Sequence, residues 1–340
     1  MKKNLLFVNW SEAAILLVFA LVMAASCASS GAVSTGQAAP FTKWSPVANP
    51  NFGTSYVRAL YFDGSNFLAA GDRGVMVYSA DGTNWKPVNS AFDGTRTQCI
   101  TSGKGTYIAV GDDSKMSRST NGTAWAAVPG IPISKILVVA YGLPSSEGAP
   151  SDNAGVFVAG GSEGSVKMIY SKDGTSWTQT DSTFGDSDVY AIAYGDGKFI
   201  AAGTGGKMAS STDGIHWTAI ADSGFAKNEN INAIAYNGSG TWAAGGAAGK
   251  VAYSKDGITW TQANVPARVF DNKDIRRMTC SNGKFVTGGQ GGIMAYSTDG
   301  IEWTPVRYGF EEKLILALAY GNGKLIIGGQ DGKMAWSIDE

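Results

Sequence analysis

Histidine is almost missing from this chain: 340 residues contain one, His216. A lone imidazole inside a repeated turn rules out His-dependent triads and His-rich metal sites. Cysteine is nearly as scarce, at three residues (Cys27, Cys99 and Cys280), which is too few for a disulfide framework and shows no metal-ligand spacing. Charge is sparse too. Asp, Glu, Lys and Arg make up 16% and the formal net charge is −1, so no global field recruits nucleic acid or anionic lipid. No segment after the first 26 residues has the 3.6-residue periodicity of a helix. The one extended apolar run, Ala13 to Ala25, is short for a bilayer span.

Glycine and tryptophan are plentiful instead. A seven-residue pattern, Ser-x-Asp-Gly-x-x-Trp, starts at Ser79, Ser119, Ser171, Ser211, Ser254 and Ser297, with Asn121 replacing the aspartate once. A further copy begins at Ser337 and Asp339 and stops with the chain, while Trp44-Ser45-Pro46-Val47 reads like the end of a copy. One repeat is split between the two ends, as a closed ring requires.

Each repeat, of roughly 40 residues, holds four short β-rich runs separated by turn residues. The expected fold is all-β: a seven-bladed propeller of four-stranded antiparallel blades, closed when the N-terminal strand joins the C-terminal blade. Within the pattern, glycine supplies positive φ, the preceding Asp or Asn accepts turn N–H groups, and tryptophan wedges between sheets. These aspartates are therefore structural. A blade-three insertion, Leu143 to Ala154, reads as a surface loop.

The pattern resembles the Asp-box, or BNR, repeat of sialidase-like propellers, with one residue fewer between Asp and Trp than that family's Ser-x-Asp-x-Gly-x-Thr-Trp. The resemblance implies fold more than function, because that repeat serves glycosidases, assembly factors and binding proteins alike. The N-terminus resembles a bacterial lipoprotein signal: Lys2 and Lys3, an apolar run, then Met23-Ala24-Ala25-Ser26 before Cys27. That resemblance implies cleavage after residue 26 and acylation of Cys27, with an ordinary secretory signal as the other reading. The domains expected are a signal at 1–26, a flexible tether at 27–40 and the propeller at 41–340. Cys99 and Cys280, on first strands of distant blades, are expected to be small buried side chains unpaired with each other.

Loops after strands one and three share one face, with the signature turns. Loops after strands two and four share the other, and those after strand four are long and variable. A site belongs on this second face around the channel. The second residue of each first strand reads Arg58, Gln98, Leu137, Tyr190, Asn232, Arg276 and Leu316. Polar variety at one position of a monotonous repeat marks Arg58, Gln98, Tyr190, Asn232 and Arg276 as the candidate binding residues, facing water at the channel mouth. Phe52, Phe92, Phe184, Phe225, Phe270 and Phe310 are read as packing residues, and Lys115, Lys167, Lys207, Lys250 and Lys333 as solvated edge charge.

The function expected is a non-catalytic, lipid-anchored, monomeric propeller of a bacterial envelope that binds a protein or glycan, with no cofactor, metal or nucleic acid. Its mode of action would be similar to that of the photosystem II assembly-factor family, another seven-bladed Asp-box propeller. The alternative is a sialidase-like glycoside hydrolase. Arg58, Arg96, Arg276, Arg277, Tyr190, Glu311 and Asp188 offer the residue types, but the family's Phe-Arg-Ile-Pro motif is absent.

Overall fold

The computed structural model describes residues 40–144, 155–306, 310 and 312–339. Twenty-eight strands form seven four-stranded antiparallel sheets. Blade one runs Val57–Phe62, Phe67–Gly71, Met76–Ser79 and Lys86–Val88, and blades two to six repeat that meander. The seventh sheet takes Ile315–Gly321, Lys324–Gly329 and Met334–Ile338 from the C-terminus and Trp44–Pro46 from the N-terminus. Trp44 pairs with Ser337 in its ladder, so the ring closes as the split repeat predicts. First strands of adjacent blades touch all the way round, blade seven meeting blade one, and line the axial channel.

The signature turn is a hydrogen-bonded cage. In each complete copy the serine hydroxyl donates to the Asp or Asn side chain at 2.9–3.1 Å and accepts the glycine N–H at 2.8–3.0 Å. The Asp or Asn oxygen then accepts the next two backbone N–H groups at 2.7–3.0 Å. Five of the tryptophans return a bond from Nε1 to the glycine carbonyl at 3.0–3.3 Å; Trp177 does not, and its buried Nε1 has no partner. Gly82 and its counterparts sit at φ between 73° and 78°, which a side chain would strain. Trp85 then packs 6.5 Å from Phe67 of its own blade and shares one buried cluster with Ile326 and Ala317 of blade seven, as a wedge between two sheets would.

Between blades, a second device joins the first strands. A ring near the end of one strand lies flat on a glycine of the preceding blade: Tyr141 on Gly103, Tyr194 on Gly142, Tyr236 on Gly195 and Phe62 on Gly321. A Cβ on any of these glycines would come within 2.1–2.5 Å of the ring. Where the glycine position carries Asp63 or Asn237, the following blade offers the small Ser102 or Cys280 instead of a large ring. Ring size and glycine thus match across most interfaces because close packing leaves no room for both.

A single-turn helix, Ala267–Phe270, and five 3-10 turns occur where no helix is expected; one turn is too short for periodicity to register. The edge lysines are not simply solvated. Lys115 and Lys207 donate to the carbonyls of Phe92 and Phe184 at 3.0 and 2.9 Å, Lys250 pairs with Glu229, and Lys167, 7% exposed, reaches Asp188 at 2.8 Å. They fasten the loops between blades. The phenylalanines of those loops are buried as expected, Phe225 less so than the rest. Cys99 is a free thiol donating to the Val139 carbonyl at 3.6 Å, and both it and Cys280 are half-buried rather than fully so. Cys27, the signal, nearly all of the tether and residues 145–154 of the insertion lie outside the described residues.

Candidate functional site

All seven first-strand positions singled out by their variety line one cavity of about 390 Å³ at the mouth of the channel. Arg58, Gln98, Tyr190, Asn232 and Arg276 are brought together there, with Leu137 and Leu316 between them. The backbone explains why this position can vary. In every blade the ladder between strands one and two skips a residue, and the skipped residue is this one: the register jumps from Val57 to Ala59, past Arg58, and from Ile275 to Arg277, past Arg276. The same bulge passes Gln98, Leu137, Tyr190, Asn232 and Leu316. A bulge frees its extra residue from cross-strand pairing and re-aims its side chain, here at the channel. The repeat therefore holds, in every blade, one first-strand position free of cross-strand pairing.

The arginines are not simply in water, contrary to the sequence reading. Arg58, its side chain 19% exposed, is ion-paired with Asp72 and lies over the Tyr56 ring at 5.6 Å. Arg96, which spacing alone did not single out, bridges Asp72 at 2.8 Å and Asp112 at 3.1 Å, and Gln98 donates to Asp112 at 2.9 Å. Asp72 and Asp112 follow the last glycine of strand two at equivalent places in blades one and two. Burial works to raise the pKa of Asp72, but Arg58 and then Arg96 outweigh it and hold the carboxyl below its usual value. Arg276 pairs with Asp274 at 3.0 Å, and the Asn232 amide donates to the Ile275 carbonyl at 2.9 Å. The Tyr190 hydroxyl is 3.5 Å from Asp188, whose other oxygen is held by Lys167.

Arg277, which the sequence offered only among the residue types of the glycosidase alternative, also lines the mouth. It lies one step further down the channel wall, where the other blades carry Ala59, Cys99, Val138, Ala191, Ala233 and Ala317. Its Nη1 donates to the Arg276 carbonyl at 2.9 Å, and among the described residues no carboxylate pairs with it. Burial above all pulls its pKa below the ordinary arginine value; the Cys99 thiol acts in the opposite sense, and Arg58 and Arg276 add to the lowering. The available signal was a lone arginine at a small-residue position.

The opposite end of the channel holds a larger cavity of about 530 Å³. Its lining is mostly apolar and aromatic, with Leu60, Tyr61, Tyr194, Met278 and Tyr320, and it includes Asp196 but no arginine or lysine. His216 lies on the signature face, 76% exposed and held by Asp213 at 2.7 Å, away from the mouth. Glu311, one candidate of the glycosidase alternative, is outside the described residues.

No family model and no curated protein matches the sequence. Solved structures do match the fold. YCF48 from Cyanidioschyzon merolae is similar at 18% identity and TM-score 0.62, over 87% of this chain and 98% of that one. A structure of YCF48 bound to D1 peptide is similar at 14% identity and TM-score 0.67, over 91% and 100%. Virginiamycin B lyase from Staphylococcus aureus is similar at 12% identity and TM-score 0.71, over 87% and 99%. At these identities the likeness establishes a seven-bladed propeller shared by peptide-binding and catalytic proteins.

Proposed function

We propose that this chain is a non-catalytic, exported propeller whose channel mouth grips a short acidic segment of a protein partner. One observation carries the reading: the bulge residues converge on a single cavity where arginines, Gln98, Tyr190 and Asn232 meet. Arginine and tyrosine are the side chains most often found to carry contact energy. A propeller solved with a peptide bound and the WD40 propeller of Doa1 support, at the level of fold, a scaffold of this kind. Acylation of Cys27 would tether the ring to an envelope membrane. The chain enters the ring at the signature face, where Phe41 occupies a turn position, so such a tether leaves the arginine mouth facing away from its attachment.

The test is selection of random dodecapeptides on the purified propeller. Peptides carrying a carboxylate should dominate, and Tyr190→Ala with Arg276→Ala should weaken them by roughly a hundredfold, since such contacts are worth about 2 kcal/mol or more when buried. Lys172→Glu on the signature face should leave affinity unchanged. Binding lost only with Lys172→Glu would put function on the other face. Turnover of a fluorogenic sialoside, abolished by Tyr190→Phe, would replace this reading with the glycosidase.

A further inference from the structure

The mouth of the channel has two layers of positive charge, and only the upper one is neutralised from within. Arg58, Arg96 and Arg276 are each matched by Asp72, Asp112 or Asp274. Arg277, the next residue inward, is matched by nothing of opposite sign among the described residues. The repeat gives no structural reason for a charge there, because six other blades fill the same position with Ala, Val or Cys. A guanidinium partly withdrawn from water and set beside two other arginines destabilises the fold unless an anion joins it.

We propose that Arg277 is the seat of one carboxylate, carried at the tip of a slim and otherwise apolar ligand that enters through the mouth. This rests on the mouth being the binding end, and it names the group bound there. The guanidinium fork offers five N–H donors, of which one is spent on the Arg276 carbonyl, leaving donors for two parallel bonds to a planar carboxylate. A multiply charged phosphate fits less well. The remaining arginines are already committed, and Asp72, Asp112 and Asp274 near the rim repel a dianion. The same cavity offers Leu137, Leu314, Leu316, Tyr56 and Tyr190 between its polar groups, surfaces against which an apolar shaft behind the charge can lie. Asp or Glu side chains and a chain's terminal carboxylate share this chemistry.

The intact protein is titrated with butyrate, butyramide and inorganic phosphate while the Arg277 Nε–H resonance, identified by its loss in Arg277→Lys, is followed. Butyrate should shift it saturably, with butyramide and phosphate at least about tenfold weaker, because only the carboxylate makes the charged bidentate pair. Arg277→Lys should weaken butyrate by about tenfold, having lost the fork, and Arg277→Met should abolish binding. Arg277→Met should also melt above the wild type, which separates loss of a ligand group from loss of fold. No shift with butyrate, an equal shift with butyramide, or a lower melting temperature for Arg277→Met would overturn the proposal.

Two peptides of one apolar sequence then distinguish the source: one with a free C-terminal carboxylate, one amidated and carrying an internal Glu. The peptide that loses about tenfold or more in Arg277→Met identifies it, and neither losing affinity overturns the carboxylate seat. Selected peptides that respond to Tyr190→Ala with Arg276→Ala but not to Arg277→Met would remove this seat and leave the binding face. Peptides indifferent to all three substitutions would remove both.

Discussion

The Ser337 hydroxyl donates to the carbonyl of Lys43 at 2.8 Å, across 294 residues of sequence. Three residues before Trp44, at the place glycine takes in the six complete turns, stands Phe41, and Trp44 Nε1 donates to its carbonyl at 2.8 Å as Trp85 does to that of Gly82. Phe41 even adopts the glycine's backbone, with φ 59°, while its ring is buried and meets Tyr296 edge-on at 6.5 Å. The seventh signature turn is thus assembled from both ends of the chain, and Asp339, not needed for a continuous turn, pairs with Lys284 at 2.7 Å.

Phe41 therefore serves in two ways that substitution can separate. Phe41→Ala should cost about 3–5 kcal/mol, the usual loss for a buried phenylalanine. Phe41→Gly should be less damaging than Phe41→Ala by about 1 kcal/mol, because only glycine takes positive φ without strain. Removing residues 40–47 should cost more than either by exposing the edge of Met334–Ile338. Denaturant melts rank all three, and an unchanged midpoint in the truncated chain would contradict closure by Trp44–Pro46.

Asp72 holds two arginines, whereas Arg58 holds one carboxylate. Asp72→Ala should therefore destabilise more than Arg58→Ala, by about 1–3 kcal/mol, since it strands a partly buried guanidinium. Arg96 keeps Asp112 in both variants. Equal and negligible effects in chemical melts would return these arginines to the status of free surface groups.

Acid should unfold the ring late. Partial burial works to raise the pKa of Asp213, but hydrogen bonds from the His216 side chain and backbone outweigh it and bring the value to about 2. A depressed carboxyl contributes stability that is complete above its unfolded pKa, about 3.9, and is lost as pH falls toward the folded value. Asp81, Asp173, Asp256 and Asp299 are lowered in the same direction through the backbone N–H groups they cage. Melting temperature should fall steeply from about pH 4 to pH 2, with a shallower acid slope in Asp213→Asn. His216 is shifted the other way, raised mainly by its hydrogen bond to Asp213, so its small contribution is present at low pH and fades as pH rises through its folded value. Parallel pH-melts of wild type, Asp213→Asn and His216→Ala check both signs.

Gly321→Ala should destabilise by about 1–3 kcal/mol, the usual range for overpacking, because its Cβ would fall 2.2 Å from the Phe62 ring. Removing the ring with Phe62→Ala should make Gly321→Ala nearly harmless. The double-mutant cycle should give a coupling of about 1 kcal/mol or more. Strict additivity would show that the ring-on-glycine contact is not what holds that position to glycine.

The seven blades, the split repeat and the position at which the blades differ are all legible in the amino-acid sequence. Each of those is written locally: a caged serine and aspartate, a glycine at positive φ, and a variable residue at fixed distance from them. It also placed Arg58, Gln98, Tyr190, Asn232 and Arg276 at one mouth, because identical blades bring equivalent positions to one circle. What those groups do to one another is set by the folded ring. That Asp72 neutralises Arg58 and Arg96, or that Lys167 reaches into the next blade, depends on side chains meeting across loops that vary from blade to blade. The bulge that aims the variable residue inward shows only in the ladder. Arg277 required both, since its oddness is legible in the repeat, while its lack of a counter-charge is a property of the assembled channel.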